Sequence, residues 1–372
     1  MPFNTAAWIP AKRAPLVVKP APYTQPGQGE VVVMTRAIGI NTVDWIMQRI
    51  GDMTFTFIKY PFILGSDVAG EVVEVGAGVT RFKVGDRVVG HALGSDPKRN
   101  RAAEGGFQAY AVLLEHMTSA IPDSLSYERA AVIPLGASTA ACGLFQQDHL
   151  ALDPPTVPPR AAGKTLLIWG GSTSVGSNAI QLAVAAGYAV ITTASPKNFD
   201  YVRGLGASGA FDYNSPTVVK DIVAACKGKT LAGALAIGDN AAAACLDVVH
   251  RCQGAKIVSI ASFPLKFDDL PDGGAATLAF LGKLPRFITG NLGLLLKSRM
   301  RGIRTASIFG STLHANAVGP MIYADFLPGA LAAGQFVPAP EPVVVGSGLA
   351  YVQAGLDALR RGVSAKKVVV SL

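Results

Sequence analysis

Apolar positions change their period twice between Thr165 and Asn198. Thr165-Leu-Leu-Ile-Trp169 is an uncharged run bounded by glycine, the pattern of a strand buried on both faces of a parallel sheet. Gly170 and Gly171 break that run. Ile180, Leu182, Ala183 and Ala186 then recur at helical spacing before a second apolar run, Ala189-Val-Ile-Thr-Thr193. The stretch predicts strand, tight turn, helix, strand. The alternation resumes after Leu231, with residues 234–237 reading as strand, 240–250 as an alanine-rich helix and 256–260 as a strand that runs into Ala261-Ser-Phe-Pro264.

Over the first third the pattern is different. Glu30-Val-Val-Val-Met-Thr-Arg-Ala37, the stretch from Tyr60 to Gly76, and Gly85-Asp-Arg-Val-Val-Gly90 read as short apolar strands separated by glycines. They predict a compact, barrel-like β-rich domain. Residues 122–131 begin a helix with Ser126 as N-cap, residues 135–141 continue as a small-residue helix, and the proline-rich residues 153–159 form an irregular connector. Residues 275–300, apolar and interrupted by glycine, read as a pair of amphipathic helices, with a substrate entrance or subunit contact as the alternative. From Gly310 the chain returns to the first domain, with residues 324–334 and 351–361 helical and 342–345 a strand.

A length of 372 residues suggests two domains, and a composition 50% hydrophobic and only 16% charged marks a well-buried globular protein. The cysteines Cys142, Cys226, Cys245 and Cys252 form no CxxC or Cys/His cluster, which argues against a disulfide framework or zinc knuckle and fits a reducing compartment. The N-terminal Met1-Pro-Phe-Asn-Thr-Ala-Ala-Trp8 lacks a basic segment followed by a long apolar core, and no uncharged run is long enough to span a bilayer. A soluble, cytoplasmic protein without a membrane partner is expected. The net charge of +8 comes from scattered basic residues with short clusters at 98–101 and 297–304. This favours a phosphorylated cofactor over nucleic acid as the anionic partner.

The turn after Trp169 carries the candidate chemistry. Gly171, Ser172, Thr173, Ser174 and Val175 bring the backbone close to where a pyrophosphate would lie, and the following helix offers unpaired N–H groups and its positive dipole end. The dinucleotide fingerprint is imperfect, because Thr173 and Ser174 stand where further glycines are common. NAD-preferring sites place Asp or Glu after the second strand. Here that position reads Ala194-Ser-Pro-Lys-Asn198, and a hydroxyl at Ser195 with a cation at Lys197 suits the 2′-phosphate of NADPH.

Gly65-Ser-Asp-Val-Ala-Gly70, Phe82-Lys-Val-Gly-Asp-Arg-Val88, Gly105-Gly-Phe-Gln-Ala-Tyr110, Ile121-Pro-Asp-Ser-Leu125 and Ala365-Lys-Lys-Val-Val-Val370 occur in order along the chain. With the β-α-β unit they resemble the medium-chain dehydrogenase/reductase superfamily across essentially the whole length. Ser195-Pro-Lys-Asn-Phe-Asp200 and Phe211-Asp-Tyr213 are similar to the zinc-free branch of quinone oxidoreductases and trans-acting enoyl reductases, CipB-like members included. The resemblance implies an α/β fold: a Rossmann doubly wound parallel sheet at residues 139–309 and a GroES-like β-rich catalytic domain at 1–138 and 310–372. It implies cofactor contacts by Thr139, Gly171 to Val175, Ser195, Lys197, Asn198, Tyr213, Ala261 and Lys367, and a possible homodimer. Tyr213 in a packed core and Lys367 as a surface charge are the alternatives for those two residues.

Zinc-dependent members of the superfamily resemble this chain but place Cys at the position of Asn41 and His at that of Ser66. They also carry a four-cysteine lobe where Ser95 to Gln108 holds no cysteine. Asp67 and Glu71 are carboxylates without a soft-ligand partner, and His91 is one nearby histidine, so no metal is expected. Lacking a Lewis acid, the chemistry shifts to hydride addition at a C=C bond conjugated to a carbonyl, with hydrogen bonds for the developing enolate. Asn41, Asp44 and Tyr60 are the candidate catalytic residues, and Asp44 has a backbone-capping role as its alternative. Related enoyl reductases often carry Lys where this chain has Ile46, which puts a polyketide or acyl-carrier substrate in doubt and sets a smaller, more apolar enone at least level with it; the expected partner is a small-molecule enone, enoyl or quinone substrate. The expected function is an NADPH-dependent, zinc-independent ene or enoyl reductase. The alternatives are a quinone or ketone reductase, or a non-catalytic NADPH-binding protein of the crystallin kind.

Overall fold

The uncharged run forms the strand Thr165–Trp169, buried at every position. In this computed structural model residues 2–262 and 275–372 are described, and the chain divides into two units. One unit spans Gly136–Lys266 and Phe280–Leu313, so far as those residues are described. Its sheet is six-stranded, in the order Gly209–Asp212, Ala189–Ala194, Thr165–Trp169, Leu231–Ala236, Ile257–Ile260, Arg304–Ser307. All five pairings are parallel.

The chain winds outward in both directions from Thr165–Trp169, which makes this strand the topological switch point. In open α/β sheets the carboxyl end of such a strand is where ligands bind. Helices Ser174–Ala185 and Ala241–Arg251 connect the central strands. Leu167, Ile191, Ile222, Leu246 and Val258 share one core, as expected of strands whose apolar runs leave no face for water.

The other unit holds Met1–Leu135 and His314–Leu372, together with residues up to Ala279. Its larger sheet is seven-stranded, running Glu341–Ser347, Lys366–Ser371, Glu30–Gly39, Asp67–Val75, Arg87–His91, Thr118–Ala120, with Tyr110–Leu114 also paired to Glu30–Gly39. Lys366–Ser371 pairs antiparallel to Glu30–Gly39 through Val369 opposite Gly39, which is why the C-terminus returns to this unit. Val31, Val33, Val68, Val72, Val88 and Leu113 fill the core beneath these strands. Asn4–Ile9, Val17–Ala21 and Phe62–Ile63 form a separate three-stranded sheet.

Ser126 caps Tyr127–Ala130, its hydroxyl accepting the Arg129 N–H at 3.3 Å. Residues 153–159 are irregular, as their prolines dictate. Residues 275–300 differ from expectation. They form one 26-residue helix, Ala275–Met300, with Pro285 inside it, rather than a helix pair. Glycine in a helix costs only about 1 kcal/mol and does not by itself end it. Phe263 and Pro264, the expected end of the strand after Lys256, lie outside the described residues. All four cysteines are buried and free. Among the described residues no helix is long and apolar enough to cross a membrane.

Candidate functional site

The switch-point strand ends in a turn whose geometry depends on close backbone approach. A Cβ at Gly171 would stand 2.2 Å from Thr192 Oγ1, and one at Gly176 would stand 2.2 Å from the Gly170 carbonyl oxygen. The helix Ser174–Ala185 therefore starts hard against the turn. Thr173 is its N-cap: the hydroxyl accepts the Gly176 N–H at 3.0 Å and donates to the Gly170 carbonyl at 2.8 Å. Ser174 and Val175 open the helix, where N–H groups have no intrahelical acceptor. Ser174 Oγ is buried without a hydrogen-bond partner, an orphaned hydroxyl at the dipole end of the helix.

At the carboxyl ends of the neighbouring strands, Ala194 stands opposite Asp212 in register. That register brings Ser195 and Tyr213 together, with their hydroxyls 2.9 Å apart. Tyr213 is exposed, and Lys197 is exposed in the short turn Pro196–Asn198, where the Asn198 N–H donates to the Ser195 carbonyl at 2.8 Å. The three side chains assigned to a 2′-phosphate thus share one solvent-facing edge. Thr139 lies on the helix Pro134–Phe145 against Gly310, where an added Cβ would stand 2.7 Å from Thr139 Oγ1. Ala261 follows the strand Ile257–Ile260, and its N–H donates to the Ala236 carbonyl at 2.9 Å.

Sequence reasoning missed part of this support. Thr193 Oγ1 accepts the Gly170 N–H at 3.0 Å, and Ser177 Oγ lies 2.8 Å from the Tyr201 hydroxyl. The available signal was a pair of threonines in an otherwise apolar strand.

In the other unit a second cluster forms around Asn41, which precedes the helix Thr42–Thr54. The Asn41 N–H donates to the Asp44 carboxylate at 2.8 Å, the return arm of a capping box. Asn41 Nδ2 donates to Asp67 Oδ2 at 2.9 Å, and the Lys367 ammonium donates both to Asn41 Oδ1 and to Asp67 Oδ2, the latter at 2.8 Å. The second Asp67 oxygen accepts the Leu135 N–H at 2.6 Å. Asn41, Asp44, Asp67 and Lys367 are 4%, 1%, 0% and 3% exposed, so this is a buried charged network and Lys367 is no surface lysine. Burial of a charge is costly unless it is paired and hydrogen-bonded, and here each partner supplies the other.

Neighbouring groups respond to the burial. Burial, with the Asp67 charge adding to it, raises the Asp44 carboxyl to about 7. His91, opposite Asp67 in the ladder, is pushed down to about 4 by burial and is neutral near pH 7. Tyr60 is placed elsewhere, its hydroxyl near Gly51 at the far end of the same helix. The ten residues from Asn41 correspond to about 15 Å of helix. Ile46 is buried in the core.

The alcohol dehydrogenase GroES-like domain matches residues 27–123. The chain is 53% identical to "Dehydrogenase pigH" of Monascus ruber over the whole of both chains. It is 46% identical to "Zinc-binding alcohol dehydrogenase domain-containing protein cipB" of Emericella nidulans, covering 99% of this chain and 98% of that one. It is 38% identical to "Trans-enoyl reductase himH" of Aspergillus japonicus, covering 100% and 98%. Among solved structures, an alcohol dehydrogenase superfamily protein from Novosphingobium aromaticivorans superposes with a TM-score of 0.73 at 25% identity, over 99% of each chain.

Proposed function

The chain belongs to the medium-chain dehydrogenase/reductase superfamily, an oxidoreductase family that implies a nicotinamide cofactor, and on that premise we propose that it is an NADPH-dependent ene or enoyl reductase working without zinc. The observation that carries the zinc-free part of the reading is the buried Lys367 ammonium. It binds Asn41 and Asp67, and Asn41 with Ser66 holds the positions that the sequence resemblance assigns to zinc ligands. An amide and a hydroxyl are poor zinc donors, and a metal ion there would meet a cation already fixed 2.8 Å from the carboxylate. This donor set fits an ammonium better than a metal. The relative himH, named a trans-enoyl reductase, supports the reaction class.

When bound, the cofactor supplies the hydride. The orphaned Ser174 hydroxyl and the N–H groups that open its helix are a donor set that fits a pyrophosphate. Ser172 and Thr173 shape the turn, while Ser195, Lys197 and Tyr213 would hold the 2′-phosphate and so select NADPH. Thr139, Asn198 and Ala261 complete the proposed cofactor contacts. In the other unit Lys367 and Asp67 fix the Asn41 amide with its oxygen toward the ammonium. One Nδ2 hydrogen is committed to Asp67, and the second is the donor proposed for a substrate oxygen as enolate charge develops. Asp44 acts through Asn41 as a positioning residue, and Tyr60, its hydroxyl near Gly51, lies outside this donor set.

The test incubates purified protein with NADPH or NADH and a panel of α,β-unsaturated ketones, enoyl thioesters and quinones, following product mass and metal content. Gain of two hydrogens across a C=C bond by metal-free protein, with preference for NADPH, is the expected result. Turnover of quinones alone would replace the reaction class. Activity lost to a chelator and restored by zinc would overturn the metal-free reading.

A further inference from the structure

The four cysteines do not share one environment. Burial pushes the Cys142 and Cys245 thiols above the usual thiol range, which leaves them inert. Cys226 and Cys252 are a pair, the Cys226 thiol donating a hydrogen bond to the Cys252 sulfur. That bond holds the proton on Cys226 and draws Cys252 below the usual range against its own burial, with the Lys256 ammonium acting in the same direction.

The pair follows from the winding of the nucleotide-binding sheet. Cys226 ends the helix Val218–Ala225, its N–H donating to the Ile222 carbonyl at 3.0 Å. Cys252 ends the helix Ala241–Arg251, its N–H donating to the Val248 carbonyl at 3.0 Å. Each helix leads back to the amino end of the next strand, Leu231–Ala236 or Ile257–Ile260, and those strands are parallel neighbours. The two helix ends therefore meet at one edge, where Ile222, Cys226, Leu231, Val249 and Cys252 share a core. The Leu231 N–H donates to the Gln253 carbonyl and the Ala255 N–H to the Leu231 carbonyl, both at 2.8 Å, which ties the two connectors together. The glycine turn lies at the carboxyl end of the parallel strand Thr165–Trp169, so this edge is the one opposite the proposed cofactor site.

The edge is basic and close to solvent. Cys226 and Cys252 are 4% and 8% exposed, but residues 227–230 and 253–255, which follow them, are exposed. Lys227 and Lys229 stand in the first connector, and Lys256 Nζ donates to the carbonyls of Val249 at 2.6 Å and Cys252 at 2.7 Å. A thiolate is the reactive form of cysteine, and cations beside it favour that form.

We propose that Cys226 and Cys252 are a redox-modification site, oxidised by hydrogen peroxide to a reversible disulfide that clamps the two helix ends. The Cys252 thiolate attacks one peroxide oxygen and the O–O bond breaks. Cys252 becomes a sulfenic acid, and the other oxygen takes the proton that Cys252 released and leaves as water. The Cys226 sulfur then attacks the Cys252 sulfur, the S–O bond breaks, and hydroxide leaves as water with the Cys226 proton. Two thiols give up two electrons, one peroxide accepts them, and two waters form.

Graded hydrogen peroxide on the full chain, followed by thiol titration after denaturation and by peptide mapping, tests the assignment. Loss of two of the four thiols is expected, with Cys226 and Cys252 joined in one linked peptide and released by dithiothreitol. Cys252 should react at least about tenfold faster than Cys142 or Cys245, since each pKa unit is tenfold in thiolate fraction. Cys226→Ser should stop the reaction at a Cys252 sulfenic acid that dimedone traps, and Cys252→Ser should keep its three thiols at the same dose. The peptide map of the parent protein decides without either variant, should a buried serine prevent folding. A link between other cysteines, equal rates at Cys142 or Cys245, or four thiols surviving a dose that oxidises free cysteine would overturn the proposal.

Discussion

The glycine turn is built from residues adjacent in sequence, whereas the Lys367 ammonium reaches Asn41 across 326 positions. In the turn, Thr173 caps its own helix and Gly176 packs on Gly170, so the local chain defines the geometry. In the second cluster a helix cap, an internal strand and the C-terminal strand each bring one polar group into a buried place. Removing a residue from the first should disturb a loop and its ligand. Removing one from the second strands a charge.

The sharpest test of that contrast compares two adjacent lysines. Lys367→Met leaves Asp67 buried without its cation and should cost about 3–5 kcal/mol in urea denaturation. Lys366 forms only a surface pair with Glu341 at 2.6 Å, and Lys366→Met should change stability by less than about 1 kcal/mol. Equal effects would mean that the buried network contributes no special stability.

Asp44 gives a pH-dependent version of the same test. Its carboxyl is raised from 3.8 to about 7 in the fold, so the native state binds the extra proton between those values. Its contribution to stability is complete below the unfolded value and is lost as pH rises through about 7. Each pH unit crossed inside that window removes up to about 1.4 kcal/mol. Denaturation midpoints measured across the window should show this slope, and Asp44→Asn should flatten it.

Smaller effects belong to the turn. Gly176→Ala puts a methyl against the Gly170 carbonyl and should cost about 1–3 kcal/mol, with weaker cofactor binding in fluorescence titration. Lys197→Ala should leave stability unchanged and weaken NADPH by about tenfold, or about 1.4 kcal/mol, with NADH unaffected. Equal losses for both nucleotides would remove Lys197 from the 2′-phosphate site.

Much of the turn was legible because its signals are local. The change from an uncharged run to helical spacing marked the β-α-β unit, and the absence of an acid after the second strand drew attention to Ser195 and Lys197. Their meeting with Tyr213 needed the parallel register that sets Ala194 beside Asp212. The second cluster was legible only in pieces. In the sequence Asn41 and Asp44 stand out as polar residues after a strand, Asp67 and Glu71 as carboxylates without a soft-ligand partner, and Lys367 as a residue beside the cofactor or on the surface. Tyr60 was grouped with Asn41 and Asp44, yet its hydroxyl is placed at the other end of their helix. The glycines between residues 275 and 300 suggest two helices, yet their small helical cost lets Ala275–Met300 form one.

The sequence by itself determined the alternating strands and helices, the tight turn and its cap, since each follows from side-chain period and backbone freedom over a few residues. Side-chain period alone did not say which of Lys366 and Lys367 is buried, and the resemblance that points to Lys367 left it beside the cofactor or on the surface. Successive side chains on a strand point to opposite faces, so the pairing of Lys366–Ser371 in its sheet had to decide which lysine meets Glu341 in solvent and which meets Asp67 inside. Only the tertiary structure fixes that choice, because a buried ammonium is tolerable solely where other parts of the chain bring a carboxylate and an amide to receive it.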